Sequence, residues 1–177
     1  PLPAMAEARR LDTGAPREFL DDARDVVAAQ RIWSSVVLAD ATGRRLLDTR
    51  PGAEGKGGTL AGEPLFQLVQ RTSRPAISPH AKTPAAEGGY TTCFAVPVMR
   101  GGALRYVLVA EIDQAEWLRF MALYPVAPDA TLTLLDQNGL IIARTLDNDR
   151  WVGRPPSPTL ARRSRGKPCV ARCRGPL

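Results

Sequence analysis

Hydrophobic and polar residues recur along this chain with two periods, which predict short helices alternating with hairpins. Apolar residues at near-helical spacing, with a proline and acidic residues in the first turn, predict a helix over 16–32. Segments 33–40 and 45–49 are rich in β-forming residues and enclose a Gly-containing turn, which predicts a hairpin. A second amphipathic stretch, which begins with a proline, predicts a short helix over 64–72.

The middle of the chain predicts two long strands. Residues 90–100 and 103–113 flank a Gly-Gly turn in which both residues can take positive φ. Pro97 cannot donate a ladder hydrogen bond, so its strand is expected at an edge or with a bulge. A short strand is expected over 76–80, and the pattern returns to a helix over 114–124.

A hairpin pattern occurs twice, at an offset of 96 residues. The sequence LADATGRRLLDT forms the first copy and LLDQNGLIIART the second, with Asp40 opposite Asp136 and Gly43 opposite Gly139. Two common Gly-containing turns could coincide in this way. The alternative interpretation is that one small fold begins twice.

The order of elements predicts an α+β fold. Hairpins favour antiparallel pairing, and the helices are expected to cover one or both faces of the sheet. The elements up to residue 113 complete a five-stranded antiparallel sheet with flanking helices, whereas the second hairpin starts a unit that this chain does not finish. The length of 177 residues suits one or two domains, and 44% hydrophobic residues suffice for a core.

The positive net charge of +6 is concentrated at one end of the chain. Residues 150–177 carry eight Arg or Lys and no acid, while residues 1–149 carry 16 basic and 18 acidic residues. The expected globular part is therefore nearly neutral, and the charge does not favour a nucleic-acid partner. No apolar run is long enough to predict a membrane span.

No catalytic or metal-binding motif stands out. The chain lacks the spacings of nucleophile elbows, phosphate loops and zinc proteases, and we expect neither an enzyme nor a cofactor. His80 is the only histidine and is expected at the surface in a loop. Cys93 is expected to pack, and the pair Cys169 and Cys173 lacks further zinc ligands nearby.

A binding pocket is the remaining functional expectation. It would lie between the helix over 64–72 and the strands over 91–98 and 104–111. The polar side chains that could orient a ligand there are Arg71, Arg74, Ser78, Thr92 and Tyr106. Each also has an ordinary structural interpretation, as an exposed charge at a helix end or a good strand former.

Several segments, taken in order, resemble a known family. The hairpin VVLADATGRRLLDT, the step TSRPAIS, the hairpin VPVMRGGALRYVL and the later DQNGLIIART with VGRP resemble double Cache sensor domains. These are PAS-like, ligand-binding regions of bacterial transmembrane receptors. The resemblance covers about residues 6–160.

The resemblance implies a PAS-like sheet with a long N-terminal helix and two modules. We expect an N-terminal helical segment over 1–32, a membrane-distal module over 33–124 and the incomplete start of a membrane-proximal module over 125–177. In this family the distal module binds small metabolites. The aromatic and arginine signature of the amino-acid-binding subgroup is not evident in LFQLVQRTSRP.

The expected function is that of a periplasmic, extracytoplasmic sensor domain. It would detect a small molecule and belong to a receptor of the inner membrane. The parent receptor is expected to be a homodimeric histidine kinase, with a diguanylate cyclase or a chemoreceptor as other family outputs. An alternative hypothesis is a cytoplasmic PAS-like or profilin-like module that dimerises without a ligand.

Overall fold

A computed structural model describes residues 2–12, 18–53, 57–83, 89–127, 130–158 and 160. The helices and strands are α1 Leu2–Ala6, α2 Glu18–Gln30, β1 Ser35–Asp40, β2 Arg45–Asp48, α3 Pro64–Thr72, β3 Ala76–Ile77, β4 Ala81–Lys82, β5 Tyr90–Arg100, β6 Ala103–Asp113, α4 Gln114–Ala122, β7 Thr133–Leu135, β8 Ile141–Arg144 and α5 Asn148–Trp151. A short 3₁₀ turn over Arg9–Leu11 follows α1. The predicted bounds of α3, β5 and β6 are confirmed.

The chain divides into two compact units. Unit 1 comprises Pro1–Ser78 and Thr92–Ile112, and unit 2 comprises Pro79–Thr91 and Asp113–Leu177. These bounds differ from the predicted modules, because the segment over 79–91 and helix α4 belong to unit 2. The division into a membrane-distal and a membrane-proximal module stays a prediction.

The main sheet confirms the predicted antiparallel α+β architecture. Its strand order is β2-β1-β6-β5-β3, and β4 also pairs with β5. The sheet thus has six strands rather than five, because the strand expected over 76–80 is two strands. β3 ends at Ile77 and β4 begins at Ala81, with Pro79 between them. Proline has no N–H for a ladder, so a continuous strand is interrupted there.

Helices cover both faces of the sheet in unit 1. Strand side chains alternate between faces, so neighbouring residues of β1 and β6 enter different apolar clusters. The first cluster, the α2 face, packs Phe19 and Ala23 against strand residues that include Leu38 and Leu108. The second cluster, the α3 face, packs Phe66 and Val69 against the following buried strand residues: Val37, Ala39, Ala95, Val107 and Val109.

The two predicted hairpins form with the same hydrogen bonds at the offset of 96 residues. Asp40 N donates to Arg44 O at 2.9 Å, and Asp136 N donates to Leu140 O at 2.9 Å. Gly43 and Gly139 each donate to the carbonyl of the aspartate three residues earlier, and have φ of 91° and 77°. Positive φ is strained for other residues, which accounts for glycine at both positions.

The correspondence extends to the side chains and to the irregularity in each strand pair. The carboxylate Oδ1 of Asp40 accepts the backbone N–H of Arg44 at 3.1 Å, and that of Asp136 accepts the N–H of Leu140 at 2.9 Å. The register shifts between Leu38 and Ala39 in one hairpin, and at the positions 96 residues later, 134 and 135, in the other. One local structure therefore occurs twice, as the sequence pattern predicts.

Candidate functional site

The space predicted to form a pocket, between α3 and the strands, is filled by the α3 face. Phe66 is 2% exposed and Val69 is fully buried. The facing strand residues Val107 and Val109 are also buried, at 0% and 6% exposure. The helix therefore packs directly on the sheet at this level.

Two of the five predicted ligand-contacting residues are exposed on or after α3. Arg71 lies in the last turn of α3, and Arg74 follows the left-handed residue Ser73 that ends the helix. A cationic side chain in this position interacts favourably with the negative end of the helix dipole. Ser78 follows β3, and its Oγ accepts a hydrogen bond from Cys93 N of β5 at 2.8 Å.

The other two predicted residues are buried in the sheet. Thr92 is 2% exposed on β5, and Tyr106 is 6% exposed on β6. Tyr106 packs in the α2 face, whereas α3 packs in the other cluster. The sheet itself thus separates Tyr106 from α3, and the structure does not bring the five residues together. Their role in ligand binding stays a prediction.

A charged cluster that sequence reasoning missed lies at one end of the α3 face. It consists of Glu111 on β6, Ser35 on β1 and Arg50 after β2. By strand alternation Glu111 lies on the same face as Val109, and Ser35 on the same face as Val37. We call these three residues the charged cluster.

The charged cluster is held by short contacts. Arg50 Nη2 lies 2.9 Å from Glu111 Oε2, and Ser35 Oγ donates to the same oxygen at 2.5 Å. Arg50 is also fixed through its backbone, because its N–H donates to Asp48 Oδ1 at 2.9 Å. Ser35 is fully buried, while the side chains of Arg50 and Glu111 keep 24% and 15% exposure. The two side chains are therefore paired with each other and partly accessible to solvent.

The charged cluster places two opposite charges side by side. Both contacts to the carboxylate of Glu111 use Oε2. A guanidinium donates to anionic groups and a carboxylate accepts from cationic groups. A ligand could thus place a cationic group at Glu111 and an anionic group at Arg50.

A separate apolar groove of about 370 Å³ lies in unit 1. Pro75, Ala76 and Ile77 of the β3 region form one side, and Leu2 and Trp33 contribute to the rest. It also reaches the strand residues Phe94, Ala95, Val96 and Ile112. The groove offers apolar contact but no charged side chain to orient a ligand.

His80 in unit 2 is buried, which corrects the prediction of a surface residue. It is only 3% exposed, its ring stacks on Tyr90 at a centroid distance of 5.3 Å, and Nε2 lies 2.8 Å from Gln114 Oε1. The ring is buried by packing against Tyr90 and Gln114, and Gln114 is 34 residues away in the sequence. The local pattern of a proline-containing loop could not reveal them.

The structure shows no other chemistry in the described residues. No group of three or more His, Cys, Asp or Glu that could hold a metal ion occurs in that part of the chain. Cys93 is a free, half-buried thiol, and Cys169, Cys173 and most of the basic tail lie outside the described residues. None of the described helices is long and apolar enough to cross a membrane.

Comparison with known proteins yields structural neighbours only. No protein-family profile and no curated protein matches the chain. Among solved structures, the ligand-binding domain of the Pseudomonas fluorescens chemoreceptor CtaA in complex with L-serine has a TM-score of 0.64 at 15% identity. That match covers 87% of this chain and 64% of CtaA.

Two further neighbours have the same fold. The extracellular domain of rpHK1S-Z16, assigned as a histidine kinase, has a TM-score of 0.64 at 16% identity and covers 77% of this chain. The ligand-binding domain of the Campylobacter jejuni chemoreceptor Tlp3, bound to 4-methylisoleucine, has a TM-score of 0.56 at 16% identity and covers 75% of this chain. The chain spans 56% of the first and 51% of the second. The sensor-domain fold implied by the resemblance is confirmed.

Proposed function

We propose that this chain is the extracytoplasmic sensor domain of a bacterial receptor and binds a small molecule in unit 1. The observation that carries the proposal is the charged cluster, a solvent-accessible pair of opposite charges within a fold shared with ligand-binding domains. Such a domain needs no catalytic group, because its output is a change in the population of two conformations. The parent receptor would be a membrane-anchored homodimeric histidine kinase.

The charged cluster favours a zwitterionic ligand. A ligand that carries both charges would offer a partner of opposite sign to each side chain of the Arg50–Glu111 pair. An α-amino acid would direct its carboxylate to Arg50 and its ammonium group to Glu111. The structural neighbours CtaA and Tlp3 are solved with L-serine and 4-methylisoleucine, which belong to this chemical class.

A thermal-shift screen of amino acids, carboxylates and polyamines tests the proposal. A ligand at about 100 times its Kd stabilises the folded state by about 2.7 kcal/mol. For a protein of this size that corresponds to a rise in Tm of roughly 5–11 °C. A screen in which no compound raises Tm would contradict ligand sensing.

Variants locate the site of any ligand found. Arg50→Met and Glu111→Gln each remove one charge at similar side-chain length, and we expect both to abolish the shift. Arg119→Ala, which removes an exposed charge from α4, is the matched control and should leave the shift unchanged. If Arg71→Ala or Arg74→Ala abolishes the shift while the cluster variants do not, the ligand lies at the position predicted from the sequence.

Dimerisation without a ligand is the competing function. Sedimentation of the chain, with and without the compounds that raise Tm, distinguishes ligand sensing from dimerisation without a ligand. A stable dimer that forms equally in all conditions, together with an empty screen, would favour the interaction module. A hydrophobic span in the gene next to this chain would support the membrane-anchored receptor.

A further inference from the structure

We propose that His80 is a proton-operated latch in unit 2, which holds residues 79–83 and 89–91 to helix α4 and to the β7–β8 turn at neutral pH and releases them in mildly acidic solution. The latch consists of His80, Tyr90, Gln114 and Asp136. This inference concerns unit 2 alone and does not depend on ligand binding at the charged cluster. It adds a second input, external acidity, to the domain.

The contacts of His80 reach three separate pieces of unit 2. Its ring stacks on Tyr90 of β5 with an interplanar angle of 13°. Its Nε2 lies 2.8 Å from Oε1 of Gln114, the first residue of α4. Its backbone N donates to Asp136 Oδ2 in the β7–β8 turn at 3.2 Å. One buried residue therefore contacts elements that are 34 residues away through its ring and 56 residues away through its backbone.

The hydrogen bonds around Gln114 suit a neutral imidazole. Gln114 Nε2 donates to Asn148 Oδ1 at 3.3 Å, which directs Oε1 of the same amide toward His80. Asn148 Oδ1 is fixed in turn, because it accepts Arg144 N at 3.1 Å. An amide oxygen only accepts, so His80 Nε2 carries the proton in this arrangement. A second proton would create a cation whose ring is packed against an aromatic side chain and a neutral amide.

The charged groups that face His80 do not offset that cost. Asp136 from the β7–β8 turn is the carboxylate that acts on the ring, and it already accepts Asn138 N at 2.8 Å and Leu140 N at 2.9 Å. Asp113, next to Gln114 at the start of α4, accepts Thr91 Oγ1 at 3.1 Å. Tyr90 on β5 presents an aromatic ring, and α5 presents the amide of Asn148 through Gln114.

Burial lowers the pKa of His80 from its usual value of 6.5, and the hydrogen bond to Gln114 and the charge of Asp136 raise it only in part. The unfolded segment therefore takes up a proton before the folded one does. The stability that the neutral ring contributes is complete above about pH 6.5 and declines as pH falls toward the folded-state pKa. Acid thus favours release of residues 79–83 and 89–91.

The chain contains a single histidine, so its ring protons give one unambiguous NMR signal. We expect this signal in the intact chain to titrate with a midpoint below 6.5. We also expect backbone amides of residues 79–83 and 89–91 and at the start of α4 to exchange with solvent faster at pH 5 than at pH 7.5, after correction for intrinsic rates. The acceleration should be about tenfold for each unit by which the pKa is lowered. The amides of β1 and of the paired part of β6 in unit 1 serve as the internal control.

Two variants separate the latch from general acid sensitivity. His80→Gln keeps a hydrogen-bonding side chain that does not titrate, and should remove the acceleration. Gln114→Glu places a carboxylate beside the ring, which raises the pKa of His80, and should also prevent release as pH falls. The proposal is overturned by a midpoint at or above 6.5, by equal acceleration in unit 1, or by acceleration that persists in His80→Gln. If His80→Gln does not fold, the titration of the native histidine and the Gln114→Glu variant still decide.

Discussion

The two hairpins share their turns but not their surroundings. β1 pairs with β2 on one side and, over six residues, with β6 on the other. β7 pairs with β8 in a two-stranded sheet. Accordingly Val37, Leu38 and Ala39 are fully buried, whereas the corresponding residues of β7 are half-buried. Identical local hydrogen bonds therefore coexist with different burial.

This difference separates what a turn sequence determines from what its neighbours determine. The Asp and Gly of each turn fix the local backbone, since their hydrogen bonds close within five residues. Burial of the strands depends on a partner strand that the turn does not encode. Paired substitutions at the offset of 96 residues should therefore differ most in the strands and least at the turn aspartates.

The largest difference is expected for leucine in the strands. Leu38→Ala removes a fully buried side chain beside Leu47 and Leu108, and should lower the free energy of unfolding by about 3–4 kcal/mol. Leu134→Ala removes a half-buried side chain and should cost roughly half as much. Urea unfolding of the two variants measures both values. Equal costs would show that β7 is as well packed as β1.

The next difference is expected for the turn glycines. A Cβ at position 43 would lie 2.6 Å from the backbone N of Ala61, whereas a Cβ at position 139 meets nothing within 4 Å. Both substitutions to alanine are strained by positive φ, at about 1–2 kcal/mol each. Gly43→Ala should be clearly more destabilising in urea unfolding, because the Ala61 backbone must also move. Similar losses would contradict the close approach of the 59–61 segment to the first turn.

The smallest difference is expected for the turn aspartates. Asp40→Ala and Asp136→Ala each remove a carboxylate that bonds backbone N–H groups, and should cost about 1 kcal/mol apiece. Calorimetry at pH 7 measures this. A loss at one position only would contradict an equal contribution of the two carboxylates to their turns.

The pH dependence of stability provides a further test of Asp40 in the first turn. Burial alone would raise the pKa of Asp40, but hydrogen bonds from Thr42 and Arg44 outweigh it and hold that pKa below 3.8. The stability contributed by this carboxylate is present above about pH 4 and is lost as pH falls through the folded-state pKa. Asp40→Ala should therefore be less sensitive than the parent protein to acid below pH 4, in thermal melts.

The sequence predicts short-range structure well in this protein. The bounds of α3, β5 and β6 follow from proline, glycine and alternation, and the repeated hairpin follows from its turn. The charged cluster and the burial of His80 could not be predicted from the sequence, because each depends on contacts between residues that are distant in the chain. Glu111 and Ser35 are 76 residues apart, and His80 meets Asp136 across 56 residues. Tyr106 is a strand residue whose face becomes known only once the register of the sheet is known.

The prolines around β3 have a consequence for solubility. β5 is the long outer strand of an antiparallel sheet, and a continuous free edge of that kind invites pairing with other chains. In this protein β3 and β4 each cover only two residues of it, Pro75 and Pro79 flank β3, and Lys82 ends β4. Proline has no N–H with which to extend the hydrogen bonds of a sheet. The charge of Lys82 repels the same residue in a second copy of the chain. The same interruption that splits the predicted strand thus protects the sheet against aggregation.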